Sequence, residues 1–253
     1  MTGTPTTTPR IEDFRALAQS SPWRFTTVHF THLSDRAVDR RASLKVEAWL
    51  DRAAGRLTVR SLAGVEVCEG VPYGVSYAVA HTGADSHLAH ATDGDSRLPR
   101  LRPDGLVAER PDDWHLHHGD PMWRDYQWTA MLDPAELHDG VEIHDVHATT
   151  LRGRVTWSAV CRPLIGEGED WVGGYDPRCG CCPLLDSAAS RLVEYGPDDP
   201  SLLGEDLPTA YRVQLDVQTA IAVEIEALDG RGGLVLRNEI LSVDQLLQPP
   251  GPA

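Results

Sequence analysis

The feature that most constrains this chain is a period of two that returns almost from end to end. Apolar and polar residues alternate through residues 23–33, 43–51, 56–61 and 64–68, and again through 141–149, 153–162, 211–216, 220–228 and 233–243. Only along a strand do successive side chains point to opposite faces, and these segments are rich in Val, Thr, Phe and Trp. Each is therefore predicted to be a half-buried strand. The connector 51–55 ends in Gly55, and Asp229-Gly230 is a strong turn pair, so the joins read as hairpins. Few helices lie between consecutive strands, which makes the sheet antiparallel rather than doubly wound.

Helical spacing is confined to short stretches. Ile11, Phe14, Leu17 and Ala18 share one helical face, ended by Pro22, and residues 186–195 read as a second helix. Residues 126–132 read as a strand or as the lead-in to a short helix over 133–137, with Asp133 as N-cap and Pro134 in the first helical position. Residues 72–116 are rich in Gly, Asp, His and Pro, and are expected to be long loops around strands near 75–80 and 105–108. The sum is roughly nine to eleven strands against two or three short helices. The fold class is mainly β (α+β): a large curved antiparallel sheet, or half-open β-barrel, with a few short helices covering its concave face. A length of 253 residues fits one such domain over 11–247, between a disordered tail at 1–10 and a loose, proline-rich tail at 248–253.

Charge excludes two classes of partner. The net charge is −15, and the basic residues are scattered, with Lys45 the only lysine. Nucleic acid and anionic membrane surfaces both require clustered Lys and Arg. No run approaches the ~18 apolar residues of a membrane span. The start, Met-Thr-Gly-Thr-Pro, carries neither a basic nor an apolar stretch, so a cytoplasmic location is expected. The five cysteines are then expected to be thiols or metal ligands rather than structural disulfides.

No complete catalytic motif is present. Residues 74–78, with Ser76 at the centre, nearly match the nucleophile elbow, but that motif needs a strand turning into a helix above a parallel sheet. Phosphate-cradling glycine loops and HExxH are absent. The reading is of a binding protein with no catalytic residues and no obligatory cofactor.

The most unusual local feature is the loop "DPRCGCCPLL", which holds Cys179, Cys181 and Cys182, with Cys161 upstream and Cys68 farther away. Closely spaced thiolates chelate Zn²⁺ or Cu(I). Cys161, Cys68 or a histidine would supply a fourth ligand. Only Cys179 to Cys182 fits half of a usual zinc pattern, so a disulfide and inert buried thiols stay open beside metal binding. His115, His117 and His118, and downstream His138, His144 and His147, read first as loop and strand residues, with His144 and His147 on opposite faces. Among the tryptophans, Trp49 and Trp157 read as core. Trp123, Trp128 and Trp171 lie near loops and are the candidates for the mouth of a ligand cavity.

The element order resembles that of the LolA/LolB-like lipoprotein-carrier superfamily, which includes RseB. The passages that carry it are "WRFTTVHFTHL", "LKVEAWLDRAAGRLTVRS", the strand with Gly153, Arg154 and Trp157, and the later Leu215, Asp216 and Thr219 before a last hairpin. The cysteine loop is similar to one in Streptomyces-type actinobacterial proteins and is not part of the carrier pattern. The resemblance implies a concave apolar face under a helical lid. That face would hold a lipid or acyl-like ligand or a partner protein; the alternative is a metal-binding or thiol-redox protein centred on Cys179, Cys181 and Cys182.

Overall fold

The computed structural model describes residues 8–34, 44–70, 76–82, 85–91, 98–111, 119–168, 171–198, 200–202 and 206–251. His115, His117 and His118 lie outside the described residues. The chain opens with α1 (Ile11–Ser20), whose first turn is held by the Asp13 carboxylate accepting from the Arg10 N–H at 2.9 Å. Pro22 then sets a 3₁₀ turn over Ser21–Trp23, so Trp23 belongs to that turn and the first strand begins four residues later.

The strands follow the period-two segments closely. They are β1 (Thr27–Ser34), β2 (Leu44–Asp51), β3 (Arg56–Ser61) and β4 (Gly64–Glu69), then β9 (Val141–Leu151), β10 (Arg154–Pro163), β11 (Tyr211–Asp216), β12 (Ala222–Ala227) and β13 (Gly233–Val243). Two separate hairpins lie between these groups: β5 (Ser76–Thr82) with β6 (Asp85–Ala91), and the short β7 (Arg100–Leu101) with β8 (Val107–Glu109). Ser76 opens a strand paired with Ala91, so the backbone there is not the strand-to-helix elbow a nucleophile needs.

One nine-stranded antiparallel sheet results, in the order β4-β3-β2-β1-β13-β12-β11-β10-β9. Each half keeps sequence neighbours adjacent, although β10 and β11 are joined by the long segment 164–210 rather than by a hairpin. The halves meet where β1 lies against β13, from Val28 opposite Val243 to Ser34 opposite Leu236. Within the described residues the sheet starts at β4 and ends at β9 without closing, as a half-open barrel does.

One face of this sheet carries the core. Phe14 and Leu17 of α1, Phe30 of β1, Leu50 of β2, Leu57 of β3, Val213 and Leu215 of β11 and Leu236 of β13 are all fully buried in one cluster. Residues 127–132 form a helix, α2 (Gln127–Leu132), which packs Met131 and Leu132 into the same cluster. Asp133 follows α2 as its C-cap and makes no helix N-cap; a 3₁₀ turn over Ala135–Leu137 comes next. Its carboxylate is taken instead by the Arg110 guanidinium, at 2.9 Å for one oxygen, and a buried carboxylate gains more from such a partner than from a backbone cap. At the far end, Arg154 grips Asp216 through two bonds of 2.7 and 2.9 Å. The Thr219 N–H and hydroxyl both donate to Asp216 at 2.8 Å. The turn before β10 is thereby tied to the turn after β11.

A three-thiol loop as the candidate functional site

The cysteine loop leaves β10 and returns through α3 (Ala188–Tyr195). It is pinned at both ends by one carboxylate. The Tyr175 hydroxyl donates to Oε2 of Glu136, and the Leu184 N–H donates to Oε1 of Glu136 at 3.3 Å. The Leu185 N–H closes the clamp by donating to the Tyr175 hydroxyl at 3.2 Å. Tyr175, Leu184 and Leu185 are fully buried, so the loop is anchored in the core before and after the cysteines. Burial, together with the Glu136 carboxylate beside it, pushes the Tyr175 phenol well up, and it serves as a neutral donor.

Helix α3 supports the loop from one side. It starts on a reciprocal cap, in which Ser187 Oγ accepts from the Ser190 N–H at 3.3 Å and Ser190 Oγ accepts from the Ser187 N–H at 3.0 Å. Near its end Glu194 Oε2 accepts from the Gly180 N–H at 3.1 Å. A Cβ on Gly180 would stand 2.4 Å from the Glu194 Cβ and 2.8 Å from the Ser190 carbonyl oxygen. Only glycine fits between the cysteines at this distance from the helix. On the other side Arg178 reaches Asp133 at 3.5 Å.

These anchors bring three sulfurs together. Sγ of Cys179 lies 2.9 Å from that of Cys181 and 3.2 Å from that of Cys182, and the last two are 3.6 Å apart. All are far beyond the ~2.05 Å of a disulfide. A tetrahedral Zn²⁺ at ~2.3 Å from each sulfur needs them about 3.8 Å apart, a spread of less than ~1 Å from the positions seen. Cys181 is exposed and the other two are half-buried, so an ion has access from solvent.

The loop also prepares a thiolate. Burial alone would raise the Cys179 thiol, but the thiols of Cys181 and Cys182 and the backbone N–H groups of Cys182 and Cys181 all donate to it and hold it below its ordinary value. Burial, and the hydrogen bond given to Cys179, push Cys182 up to about 12 in spite of a donated N–H from Tyr126. Cys181 is raised, first by the proton it shares with Cys179. Cys179 is thus the thiol of the three that ionises most readily, and its neighbours follow less readily.

Cys161 does not join this group. It faces the core from β10, paired with Tyr211 and Ile143, and burial pushes its thiol up to about 12. Cys68 sits on β4, at the opposite edge of the sheet order from β9. Neither cysteine, nor any histidine among the described residues, lies within the 4.8 Å cluster of the three sulfurs. His144 and His147 lie on β9 with a bulge between them, where Asp145 has φ 54°. His138 Nδ1 accepts from the Gln19 Nε2 amide at 2.6 Å and belongs to the contact between α1 and the turn before β9.

The three candidate tryptophans do not lie together. Trp123 and Trp128 are in the core, edge to face with ring centres 5.1 Å apart, and Trp128 also lies 4.8 Å from the His32 ring and 5.8 Å from the Phe30 ring. Two neighbouring donors there, Trp123 Nε1 and Gln127 Nε2, are buried without a hydrogen-bond partner among the described residues. Trp171 stands apart, at φ 50° in the small turn closed by Glu167 and Val172. The sequence made the three cysteines conspicuous, but it gave no sign of Glu136, Tyr175 and Glu194, whose roles depend on tertiary contact.

The fold is that of a mainly β protein built on an open antiparallel sheet, with short helices on one face. Comparison with models of known families and with curated proteins gave no match. Among solved structures, the chain is similar to LprF from Mycobacterium bovis, at 13% identity over 98% of this chain and 100% of that one, with a TM-score of 0.36. A likeness at that score carries no argument about what this chain does. No helix among the described residues is long and apolar enough to cross a membrane.

Proposed function

We propose that the protein binds a soft metal ion, Zn²⁺ or Cu(I), through the thiolates of Cys179, Cys181 and Cys182. The observation that carries this is the convergence of the three sulfurs within 3.6 Å in a loop pinned at both ends by Glu136. Soft sulfur ligands suit both ions, and the donated N–H groups stabilise charge on sulfur as outer-shell partners of a metal site do. Binding displaces thiol protons, so affinity rises with pH. The metal would hold the loop against α3 and α2, giving it a structural role or a role in passing the ion on.

A second reading is an apolar ligand with a polar acceptor, or a partner protein offering one, held against the concave face. It is favoured by the buried donors of Trp123 and Gln127, which have no hydrogen-bond partner among the described residues and which a carbonyl or carboxylate would satisfy. One measurement separates the two. Protein purified without oxygen or chelators is weighed intact, by native mass spectrometry, before and after addition of Zn²⁺ or Cu(I). The metal reading expects one added metal mass per chain, lost in Cys181→Ser. The ligand reading expects an organic mass that leaves on solvent extraction. A chain that gains neither ion would overturn the first reading, and a chain that carries neither an organic mass nor a bound protein overturns the second.

A further inference from the structure

Three sulfurs alone satisfy trigonal Cu(I), but Zn²⁺ calls for a fourth ligand. No fourth cysteine or histidine among the described residues lies in the cluster. The acidic side chain that hydrogen bonds the loop between two of its cysteines is Glu194, held by the Gly180 N–H at 3.1 Å. Resting on the metal reading above, we infer that the Glu194 carboxylate completes a three-sulfur, one-oxygen site and biases the loop toward Zn²⁺ over Cu(I).

Several observations converge on Glu194. Gly180 is one residue from Cys179 and one from Cys181, and its missing side chain is what lets the last turn of α3 lie against the loop. Glu194 Oε2 is tethered to the Gly180 N–H, and the carboxylate stands outside the 4.8 Å cluster of the three sulfurs. A divalent ion drawing three thiolates would recruit that carboxylate, which adds a hard oxygen ligand and a fourth negative charge. A monovalent soft ion gains little from either. Lying on a regular helix, the residue is also placed more rigidly than a loop ligand would be.

Glu194→Gln tests this, because glutamine keeps an oxygen to accept from Gly180 while losing the charge and most of the affinity for Zn²⁺. Full-length wild type and variant are titrated anaerobically with Zn²⁺, with Co²⁺ as its spectroscopic stand-in, and with Cu(I), each against a competing chelator. The inference expects the variant to lose about 10- to 100-fold in Zn²⁺ affinity. It also expects altered Co²⁺ ligand-field bands and Cu(I) affinity within about 2-fold of wild type. Unchanged Zn²⁺ affinity with an unchanged Co²⁺ spectrum overturns it. An equal loss for both ions also overturns it, since Glu194 then only holds the loop in place. A wild type that takes up none of the three ions refutes the metal reading itself, an outcome distinct from either of those.

Discussion

At the scale of single residues, His32 shows how the core sets a charge state. It projects from β1 into the buried cluster, 3% exposed, with Nδ1 against Asn238 Oδ1 at 2.8 Å and the Trp128 ring beside it. Burial disfavours the imidazolium strongly, and the bond to Asn238 recovers only part, so its pKa is lowered from 6.5 to about 4. The unfolded chain therefore takes up a proton near 6.5 that the folded protein refuses until about 4. Stability must fall as pH drops across that window, and by linkage His32 alone accounts for about 3 kcal/mol of the loss. In His32→Gln, which can still bond Asn238, the midpoint in urea should fall much less between pH 7 and pH 4.5 than in wild type. Parallel declines would show that His32 is not the group responsible.

At the scale of elements, the decisive contacts are polar ties between pieces distant in sequence. Arg52, in the β2–β3 turn, is 1% exposed and binds both oxygens of Asp120 at 2.8 and 2.6 Å. Its guanidinium also bonds the Ser21 hydroxyl and the Leu132 carbonyl, each at 3.2 Å, and lies 3.9 Å from the centre of the Phe25 ring. One side chain thus joins a hairpin, the turn after α1, the end of α2 and Asp120 upstream of that helix. Arg52→Met keeps the stem but leaves the Asp120 carboxylate buried and alone. A loss of about 3–5 kcal/mol is expected by urea denaturation, far above the ~0–1 kcal/mol of an exposed pair. The double variant Arg52→Met, Asp120→Leu should recover much of that loss, because no charge is then stranded.

These ties also explain which elements were legible in the sequence. Alternation placed β1 to β4 and β9 to β13 within a few residues, because one face of each strand meets the core and the pattern is local. The α2 segment was ambiguous because Gln127-Trp-Thr-Ala-Met-Leu132 is short and buried on every side, so it shows no face by period, and Trp128 packs against Phe30 and His32. Asp133 was misplaced because its partner, Arg110, lies 23 residues upstream. The thiol loop was legible as a cluster, while its clamp, Glu136 with Tyr175 and Leu184, spans 39 and 48 positions and leaves no short-range trace.

At the scale of the whole molecule, the order of strands puts β1 and β13 side by side at the middle of the sheet, and every other main strand is reached through one of them. The seam runs from Leu236 to Val243 on the β13 side and buries Leu236, Asn238 and Ile240. Asn238 adds a cross-brace, donating to the Ala222 carbonyl at 2.7 Å while its oxygen meets His32. Such an arrangement makes the sheet one cooperative unit, since neither half covers its inner edge alone, and a bare central edge is both unstable and prone to pairing with other chains. Ending the chain after Gly232 removes one strand, β13, with the tail that caps the start of β1 through Asp244, and should abolish the whole cooperative transition in urea, a loss of the order of the ~5–15 kcal/mol that stabilises a domain. Adding residues 233–251 back as a separate peptide should restore the transition if the seam is what was missing. A truncated chain that still unfolds in one sharp step, with unchanged dependence on urea, would mean that β12 can close directly on β1 and that the two halves need no strand between them.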